Sequence, residues 1–502
     1  MFVKLRSAAP CGMQCRPVEV EVDINKGQTN LSIVGLTDTS IQEAKDRIHS
    51  AIKNSGYTYP FNFRILINLA PGNLHKEGTA YDLPMAVGVI LAQAPENLKL
   101  DDTLLFGELA LDGSLRPING ALPITLFAKE QGISNIIIPV ENLPEATLIT
   151  GVNILPAKNL AEVVQHLLNK NIIAPAEKSI FVNEENPENI FDMCQIKGQD
   201  FAKRALEVAA AGGHNILLSG PPGSGKTLLT KTLPTILPPL TEEETLEITK
   251  IYSIAGLLRQ GLVRQRPFRS PHHSISSVAL IGGGKYPHPG EISLAHRGVL
   301  FLDEFPEFSR DVIEVLRQPL EDGTITIARA RGTLQFPARF ILVASQNPCP
   351  CGFASDPQNS CVCAPATLAK YTKKISGPIL DRIDLHIEVP RLNFEKLSGQ
   401  ETGEKSATIR DRVTEARTVQ QKRFANTGIF TNAEMGNNEL KKYCQLDSES
   451  LNLLRSAVEK LHLSARGYNR ILKISRTIAD LANQKNISLS HVAEALQFRI
   501  KN

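Results

Sequence analysis

The sequence predicts an α/β protein with two successive α/β domains and a helical C-terminal domain. Short β-like runs alternate with helix-like stretches in the first 168 residues, and apolar strand-like runs alternate with helices again over residues 191–390. From residue 391 to 502, apolar residues recur at three- and four-residue steps, as on one face of a helix. The chain of 502 residues also exceeds what one hydrophobic core usually organises, so about three domains are expected.

The N-terminal domain is predicted over residues 1–168. Its β-like runs are VEVEVDI, LSIVGL, FRILINLA and NIIIPV, and its helix-like stretches include SIQEAKDRIHSAIKNSG and LPITLFAKEQG. Residues 169–190 are polar, contain proline and lack sustained periodicity, so we expect a linker there.

The central domain is predicted over residues 191–390. Its strand-like runs NILLSG, GVLFLDE and FILVASQN are almost entirely apolar, which is typical of parallel strands covered on both faces of a sheet. The helical segment that follows, residues 391–502, is expected to form a lid on this domain.

Composition excludes some classes of protein and leaves others open. Hydrophobic residues make up 42% and charged residues 21% of the chain, as in ordinary globular proteins. No apolar run approaches the roughly 18 to 20 residues of a membrane span, and the first residues lack a long apolar signal region, so a cytoplasmic location without membrane contact is expected. The net charge of +3 neither supports nor excludes nucleic acid, so any DNA contact must be local.

A phosphate-binding loop is predicted at GPPGSGKT, because this glycine-rich motif follows an apolar strand and precedes a helix-like stretch. Glycines let backbone N–H groups turn towards phosphates, the lysine reaches the outer phosphates, and the threonine hydroxyl binds Mg²⁺. The predicted ATP-binding residues are Gly220, Pro221, Pro222, Gly223, Ser224, Gly225, Lys226 and Thr227.

Catalytic residues are predicted at the ends of the next two strands. GVLFLDEF ends in Asp303, which with Thr227 would hold Mg²⁺, and Glu304, which would orient or deprotonate the attacking water. FILVASQN ends in Asn347, a candidate sensor of the γ-phosphate, although an asparagine at a strand end is also a common turn former.

Arginines in the second half of the chain are candidates for contact with the γ-phosphate. Arg382 follows a Gly-Pro turn and could reach the nucleotide of a neighbouring subunit as an arginine finger, or it could pair with Asp381 or Asp384. Arg466 and Arg470 compete for a second sensor role, for which Arg466 is preferred.

A metal site is predicted from four clustered cysteines. Cys349, Cys351, Cys361 and Cys363 form a CxC, nine residues and a second CxC on a segment with few apolar residues. Four thiolates suit tetrahedral Zn²⁺, which would fix such a segment, and reduced surface thiols are the alternative.

Contact with DNA is predicted from basic residues in two places. The stretch from residue 252 to 290 is basic and contains no acidic residue, and GTITIARARGTLQF reads as a β hairpin with its own arginines. A basic solvated face is the alternative. The candidate DNA-binding residues are Arg264, Arg266, Arg269, Lys285, Arg329 and Arg331.

These motifs resemble the YifB/ComM family of magnesium-chelatase-like AAA+ proteins. The similarity rests on the strings RPFRSPHHSISSVALIGGG, PHPGEISLAHRGVLFLDEFPEF, ASQNPCPCG and SGPILDRIDLHIEVP, and it spans essentially the whole chain. The resemblance implies a homo-oligomeric ring, a hexamer, that hydrolyses ATP as a helicase. It would promote branch migration on single-stranded and branched DNA in homologous recombination, including natural transformation, alongside recombination proteins.

The N-terminal domain resembles the Lon-protease fold, which is ribosomal S5 domain 2-like. Where such proteases carry the nucleophilic serine this chain has Ala80, and where they carry the catalytic lysine it has Leu122. Neither side chain can attack a carbonyl or take a proton, so the resemblance implies a proteolytically inactive domain.

Two other functions remain open from the sequence. One is the motor subunit of a magnesium-chelatase-type metal insertion complex, which porphyrin-stimulated ATP hydrolysis would indicate. The other is an ATP-dependent protease, which degradation of casein would indicate.

Overall fold

The computed structural model describes residues 1–94, 100–177, 191–258, 261–284, 288–329, 332–354, 356, 359–392 and 403–499. The chain forms two compact units. Unit 1 contains Met1–Asn183 and Glu242–Arg264, and unit 2 contains Glu184–Thr241 and Gln265–Asn502. Within the described ranges, no helix is both long and apolar enough to cross a membrane.

Unit 1 is built on a seven-stranded mixed sheet with the order β3-β4-β2-β1-β5-β8-β9. β1 and β4 run antiparallel to β2, and the remaining neighbours are parallel. The strands of unit 1, including the short β6–β7 pair, are β1 (Phe2–Cys11), β2 (Gln14–Lys26), β3 (Asn30–Val34), β4 (Phe63–Ala70), β5 (Thr103–Leu105), β6 (Glu108–Leu109), β7 (Leu115–Arg116), β8 (Asn135–Pro139) and β9 (Asn153–Ala157).

Helices cover both faces of this sheet. Successive residues of one strand, such as Leu104 and Leu105, enter two different apolar clusters, because side chains alternate across a strand. The helix Asp82–Leu91, in which every residue is buried, packs into one cluster, and the helix Ala121–Glu130 packs into the other. The helices of unit 1 are Thr39–Asn54, Asp82–Leu91, Ala121–Glu130, Leu143–Ala146, Leu160–Leu167 and Glu242–Ile254, with a 3-10 turn at Val140–Asn142.

The helix Glu242–Ile254 lies within unit 1, although its sequence position falls inside the predicted central segment 191–390. Ser253 explains this placement. Its hydroxyl donates to the buried carboxylate of Glu145 at 2.6 Å, and its carbonyl accepts from the N–H of Gly120 at 3.1 Å. Local pattern cannot reveal such a placement, because the partners lie more than a hundred residues away in sequence.

Unit 2 contains a five-stranded, fully parallel sheet with the order β11-β14-β17-β10-β18. This confirms the parallel sheet predicted from the three apolar runs, which form β10, β14 and β17. The strands of unit 2, including two short antiparallel pairs, are β10 (Ile216–Ser219), β11 (Phe268–Arg269), β12 (Gly282–Gly283), β13 (His288–Pro289), β14 (Val299–Leu302), β15 (Thr324–Arg329), β16 (Gly332–Pro337), β17 (Ile341–Gln346) and β18 (Leu385–Glu388).

The C-terminal helices share one apolar cluster with the parallel sheet and with the helices that flank it. The helices before residue 391 are Asp200–Gly212, Lys226–Ile236, Ser277–Ile281, Glu291–Leu294, Arg310–Glu314, Arg317–Asp322, Pro365–Thr372 and Gly377–Leu380, with 3-10 turns at Met193–Gln195 and Phe305–Glu307. Those after residue 402 are Ser406–Arg423, Asn437–Tyr443, Ser448–Lys460, Ala465–Leu481 and Leu489–Gln497, with a 3-10 turn at Asn432–Glu434.

A buried charge network joins three elements of this helical part. The carboxylate of Asp480 accepts hydrogen bonds from Arg423 at 2.7 Å, from the amide of Asn432 at 2.8 Å and from Arg476 at 3.1 Å. The Asp480 side chain is only 1% exposed, so both guanidinium groups depend on it for charge compensation.

We expect Asp480→Ala to destabilise unit 2 by roughly 3–5 kcal/mol, because it leaves two largely buried guanidinium groups without a counter-charge. The measurement is the thermal unfolding midpoint of the full chain. Asp200→Ala serves as the control, since the Asp200 side chain is 90% exposed and its partner Lys203 lies 3.9 Å away. An equal shift in both variants would contradict the importance of the network.

Candidate nucleotide site

The glycine-rich loop follows the second strand from the edge of the parallel sheet. β10 ends at Ser219, and the helix Lys226–Ile236 begins at the loop's lysine. Gly223 and Gly225 have φ values of 76° and 91°, which L side chains rarely adopt. At Gly220 a Cβ would lie 2.2 Å from the carbonyl oxygen of Val389, so the loop also needs glycine for close packing.

Lys226 lies inside the curve of this loop. Its Nζ donates to the carbonyls of Gly220 at 2.7 Å and Pro221 at 2.9 Å, and to Oδ1 of Asn347 at 3.2 Å. Burial lowers the pKa of this amine from its usual value, while the nearby carboxylates of Asp303 and Glu304 oppose that shift. The loop therefore holds a largely desolvated cation beside the end of β17.

Asp303 connects the loop to two neighbouring strands. Its Oδ2 accepts a hydrogen bond from the hydroxyl of Thr227 at 3.0 Å, and its Oδ1 accepts from the hydroxyl of Ser345 and from the N–H of Glu304. Thr227 and Asp303 thus present a hydroxyl and a carboxylate to one point, which is the oxygen-rich type of site that Mg²⁺ prefers.

The side chain of Glu304 has a different setting from that of Asp303. Its backbone has a φ of 53°, in the left-handed region, and its side chain is 58% exposed. The His273 ring lies close to it, with Nδ1 3.9 Å from Oε2 of Glu304. A left-handed residue at the end of a strand lets consecutive acids point in different directions, one to the metal position and one to solvent.

Two residues that sequence reasoning missed or weighed lightly support the loop. Ser345 holds Asp303, and the alternation of side chains along β17 could have indicated it, because Ser345 and Asn347 are two positions apart. Gln199 donates its amide to the carbonyl of Pro390 at 2.7 Å and more weakly to that of Ser224 at 3.4 Å. It therefore joins the loop to the end of β18.

Arg382 and Arg466 lie together, but not at the loop of their own chain. Asp384, at the start of β18, donates its N–H to the carbonyl of Asn215, which precedes β10, so Arg382 lies near the amino ends of strands whose carboxyl ends carry the loop. Both guanidinium groups bind Glu321: Arg382 through Nη2, and Arg466 at 3.2 Å. The expected alternative partners of Arg382, Asp381 and Asp384, are thus replaced by Glu321.

Arg470 has a different partner. Its Nε lies 3.4 Å from Oδ1 of Asp384, and its Nη1 donates to the carbonyl of Ile383 at 3.0 Å. Burial alone would raise the pKa of Asp384, but Arg470 and His214 hold it well below its usual range. Arg470 is therefore part of a buried ion pair, whereas Arg466 is half exposed.

The four clustered cysteines converge in space. Their Sγ atoms all lie within 4.8 Å of one another, with Cys349 and Cys351 separated by 3.2 Å, Cys351 and Cys361 by 3.6 Å, and Cys349 and Cys361 by 3.7 Å. Tetrahedral zinc with Zn–S bonds of about 2.3 Å separates its sulfurs by roughly 3.8 Å, so these distances fit the ion.

The cysteine loop packs directly on the phosphate-binding loop. Gly352, which has a φ of 86°, lies so close to Pro222 that a Cβ on it would come within 2.5 Å of the proline Cδ. A metal at the cysteines would therefore stabilise one wall of the nucleotide site.

The predicted DNA-binding residues are found in different settings. Arg269 makes two hydrogen bonds to the carboxylate of Glu291, at 2.6 and 2.7 Å, and Arg266 donates to the carbonyls of Pro238 and Arg297. Arg264 ends the segment that belongs to unit 1. Lys285 and Arg331 lie outside the described residues, as does the side chain of Arg329, whose backbone ends β15 of the predicted hairpin.

Comparison with known proteins matches successive parts of the chain to three family models. "Magnesium chelatase, subunit ChlI" matches residues 192–397, "Subunit ChlI of Mg-chelatase" residues 20–142, and "Magnesium chelatase, subunit ChlI C-terminal" residues 403–499. The chain is 43% identical to the competence protein ComM of Haemophilus influenzae, over 98% of this chain and 96% of that protein. It is also 43% identical to YifB of Escherichia coli, over 99% and 96%.

The chain belongs to the YifB/ComM family of magnesium-chelatase-like AAA+ proteins. Membership of this family implies ATPase activity, and it explains the glycine-rich loop beside a parallel sheet. A partial similarity to Lon protease 2 of Bacillus subtilis, 28% identical over 34% of this chain and 33% of that protein, accompanies the family match.

Replacement of the first loop glycine tests this geometry. We expect Gly220→Ala to weaken ATP binding by at least about tenfold, because its Cβ would meet a backbone carbonyl at 2.2 Å and the loop would have to move. Binding of a fluorescent ATP analogue measures the effect. Gly72→Ala, where a Cβ meets nothing within 4 Å, should leave affinity unchanged, and equal affinities in the two variants would refute the close packing.

Proposed function

We propose that the protein is an ATP-driven, ring-forming helicase that moves DNA strands and promotes branch migration in homologous recombination, including the integration of DNA in natural transformation. The main support for this proposal is the full-length similarity to a competence protein. In addition, the predicted arginine finger lies near the amino ends of the strands, whereas the nucleotide site follows their carboxyl ends. A motor with this arrangement needs a second copy of itself to complete each site.

Within one subunit, the residues around the loop would bind and orient ATP. The loop from Gly220 to Thr227 would surround the phosphates, with Lys226 on the outer ones, and Thr227 and Asp303 would hold Mg²⁺. Mg²⁺ neutralises charge on the phosphates when it is bound. Glu304, which is exposed to solvent, would take a proton from the attacking water, and Asn347 would sense the γ-phosphate.

Between subunits, Arg382 would approach the γ-phosphate of the neighbouring site. It lies near the amino ends of β10 and β18, whereas its own phosphate-binding loop follows the carboxyl end of β10, a strand of four residues. A head-to-tail contact joins these two different surfaces and closes into a ring if the rotation permits. We propose a homo-oligomer, a hexamer, with Arg466 as the second sensor.

DNA would be held by the hairpin β15–β16 rather than by Arg266 and Arg269. Both of those guanidinium groups have partners within the protein. The strands β15 and β16 pair as far as Arg329 and Gly332, and Arg331 lies outside the described residues. Lys285 and Arg264 are weaker candidates for the same role. A positively charged hairpin in the pore would contact phosphates of one strand without reading its sequence.

The N-terminal domain would not act as a protease. Leu122 is buried and its N–H donates to Glu145 at 3.1 Å, and Ala80 packs against the apolar cluster that contains Ala121 and Ile124. Neither side chain offers a nucleophile or a base. We propose a scaffold role in the assembly, with DNA and recombination proteins as partners of the ring.

A metal-chelatase motor is the second candidate, because the family models that match are described as magnesium chelatase subunits. ATP turnover stimulated by a porphyrin, and not by DNA, would favour this function. The cysteine loop has no evident use in such a motor.

Two substitutions separate nucleotide binding from hydrolysis. Lys226→Ala should weaken ATP binding, whereas Glu304→Gln should keep ATP bound and slow turnover about 10²- to 10⁴-fold, the usual contribution of a positioned base. Both variants should lose branch migration on a three-stranded or forked DNA. Glu307→Gln is the control, because it removes a carboxylate three positions away that pairs with Lys374.

Normal turnover by Glu304→Gln would remove its assigned role. Rings that hydrolyse ATP but neither bind nor remodel any DNA structure would refute the proposed helicase.

Zinc content tests the cysteine site independently of activity. Protein purified without chelator should contain about one zinc per chain, and Cys361→Ser should contain well under one, because structural zinc sites need four ligands. Cys194→Ser, at a cysteine outside the cluster, should retain the metal. Zinc far below one per chain in the unsubstituted protein would contradict the site.

A further inference from the structure

Glu321 binds both arginines that are expected to contact the γ-phosphate. It lies at the C-terminal end of the helix Arg317–Asp322, 61 residues before Arg382 and 145 before Arg466. Arg382 donates to Oε2 of Glu321 through Nη2 and to the carbonyl of Pro378 through Nη1 at 2.7 Å, and Arg466 donates to Oε1 of Glu321 at 3.2 Å. One carboxylate therefore holds two cations.

This contact orients Arg382 away from solvent. The side chain of Arg382 is 11% exposed, although those of Glu321 and Arg466 are 49% and 55% exposed. The hydrogen bond from Arg382 lowers the pKa of Glu321, so the carboxylate is ionised at neutral pH. A guanidinium that is paired with a carboxylate attracts a phosphate less strongly, because the carboxylate compensates its positive charge.

Exchange of partners at this position is energetically feasible. Solvent reaches this ion pair through Glu321, which is half exposed, so the pair is weaker than one buried on both sides. Arginine forms stronger, bidentate hydrogen bonds with phosphate oxygens. The γ-phosphate of a neighbouring subunit could therefore replace Glu321 as the partner of Arg382.

We propose that Glu321 is a positioning residue that restrains Arg382 while the neighbouring subunit holds no ATP, and releases it when a γ-phosphate arrives. The restraint rests on the proposed role of Arg382 between subunits. Glu321 competes with the γ-phosphate for the guanidinium of Arg382, so breaking the Arg382–Glu321 ion pair reduces the net free energy of ATP binding. Removing the carboxylate removes this competition.

The test is the ATP dependence of turnover in the full-length assembled protein without DNA. Glu321→Gln should lower the ATP concentration for half-maximal turnover about two- to fivefold, the range that corresponds to an exposed ion pair, with little change in maximal rate. Asp322→Asn, which removes the same charge from the next position of the helix, should leave both parameters unchanged. In an Arg382→Ala background, Glu321→Gln should have no effect on the half-maximal concentration.

Each other result overturns the proposal. An unchanged or raised half-maximal concentration in Glu321→Gln, the same fall in Asp322→Asn, or a fall that persists without Arg382 would show that Glu321 does not restrain this arginine. Failure of the underlying role is distinguishable, because Arg382→Ala alone would then turn over ATP normally. If Arg382→Ala is defective while Glu321→Gln matches the unsubstituted protein, only the restraint is refuted.

Discussion

The register of the parallel sheet in unit 2 determines where the site forms. Ser219 pairs with Gln346 and Leu302 pairs with Ala344, so the carboxyl ends of β10, β14 and β17 lie side by side. The loop, the two acids and Asn347 each follow one of these strand ends, and parallel strands bring their carboxyl ends together at one edge. Hydrogen bonds from Thr227 and Ser345 to Asp303 then connect the three segments.

The same sheet separates the two halves of the proposed reaction. Groups that would bind ATP lie at the carboxyl ends of the strands, whereas Arg382 precedes β18 near their amino ends. Because these groups lie at opposite ends of the same strands, Arg382 can reach only a nucleotide that is bound to a second copy of the chain. Glu321 gives that arginine a partner within its own chain, and in the proposed ring this partner would compete with the neighbour's nucleotide.

Sequence reasoning succeeded where function depends on short contiguous motifs. The order of apolar strands predicted the parallel sheet, and the loop motif and the acids at the end of β14 predicted residues that the structure brings together. It did not reveal contacts between distant segments. Glu321 is separated from its arginines by 61 and 145 residues, and an exposed glutamate in a short helix carries no distinctive pattern.

The placement of the helix Glu242–Ile254 in unit 1 could not be read from the sequence for a related reason. Its placement in unit 1 depends on a hydroxyl bonded to a carboxylate buried elsewhere, and neither residue is unusual in its local sequence. The helix Asp82–Leu91 was also hard to recognise, because a helix buried on all sides has no polar face and therefore no amphipathic period.

The cysteine loop shows how a segment without an apolar core of its own can still shape a catalytic site. Among its four thiols only Cys349 is fully buried, and Val362 between the last two is 84% exposed, so the loop lacks the apolar burial that orders most loops. Its position is instead specified by convergent sulfurs and by the close approach of Gly352 to Pro222. Because Asn347 lies two residues before Cys349, displacement of the sulfurs would move both Asn347 and one wall of the phosphate-binding loop. A metal held by these sulfurs would therefore stabilise the proposed nucleotide site as well as the cysteine loop.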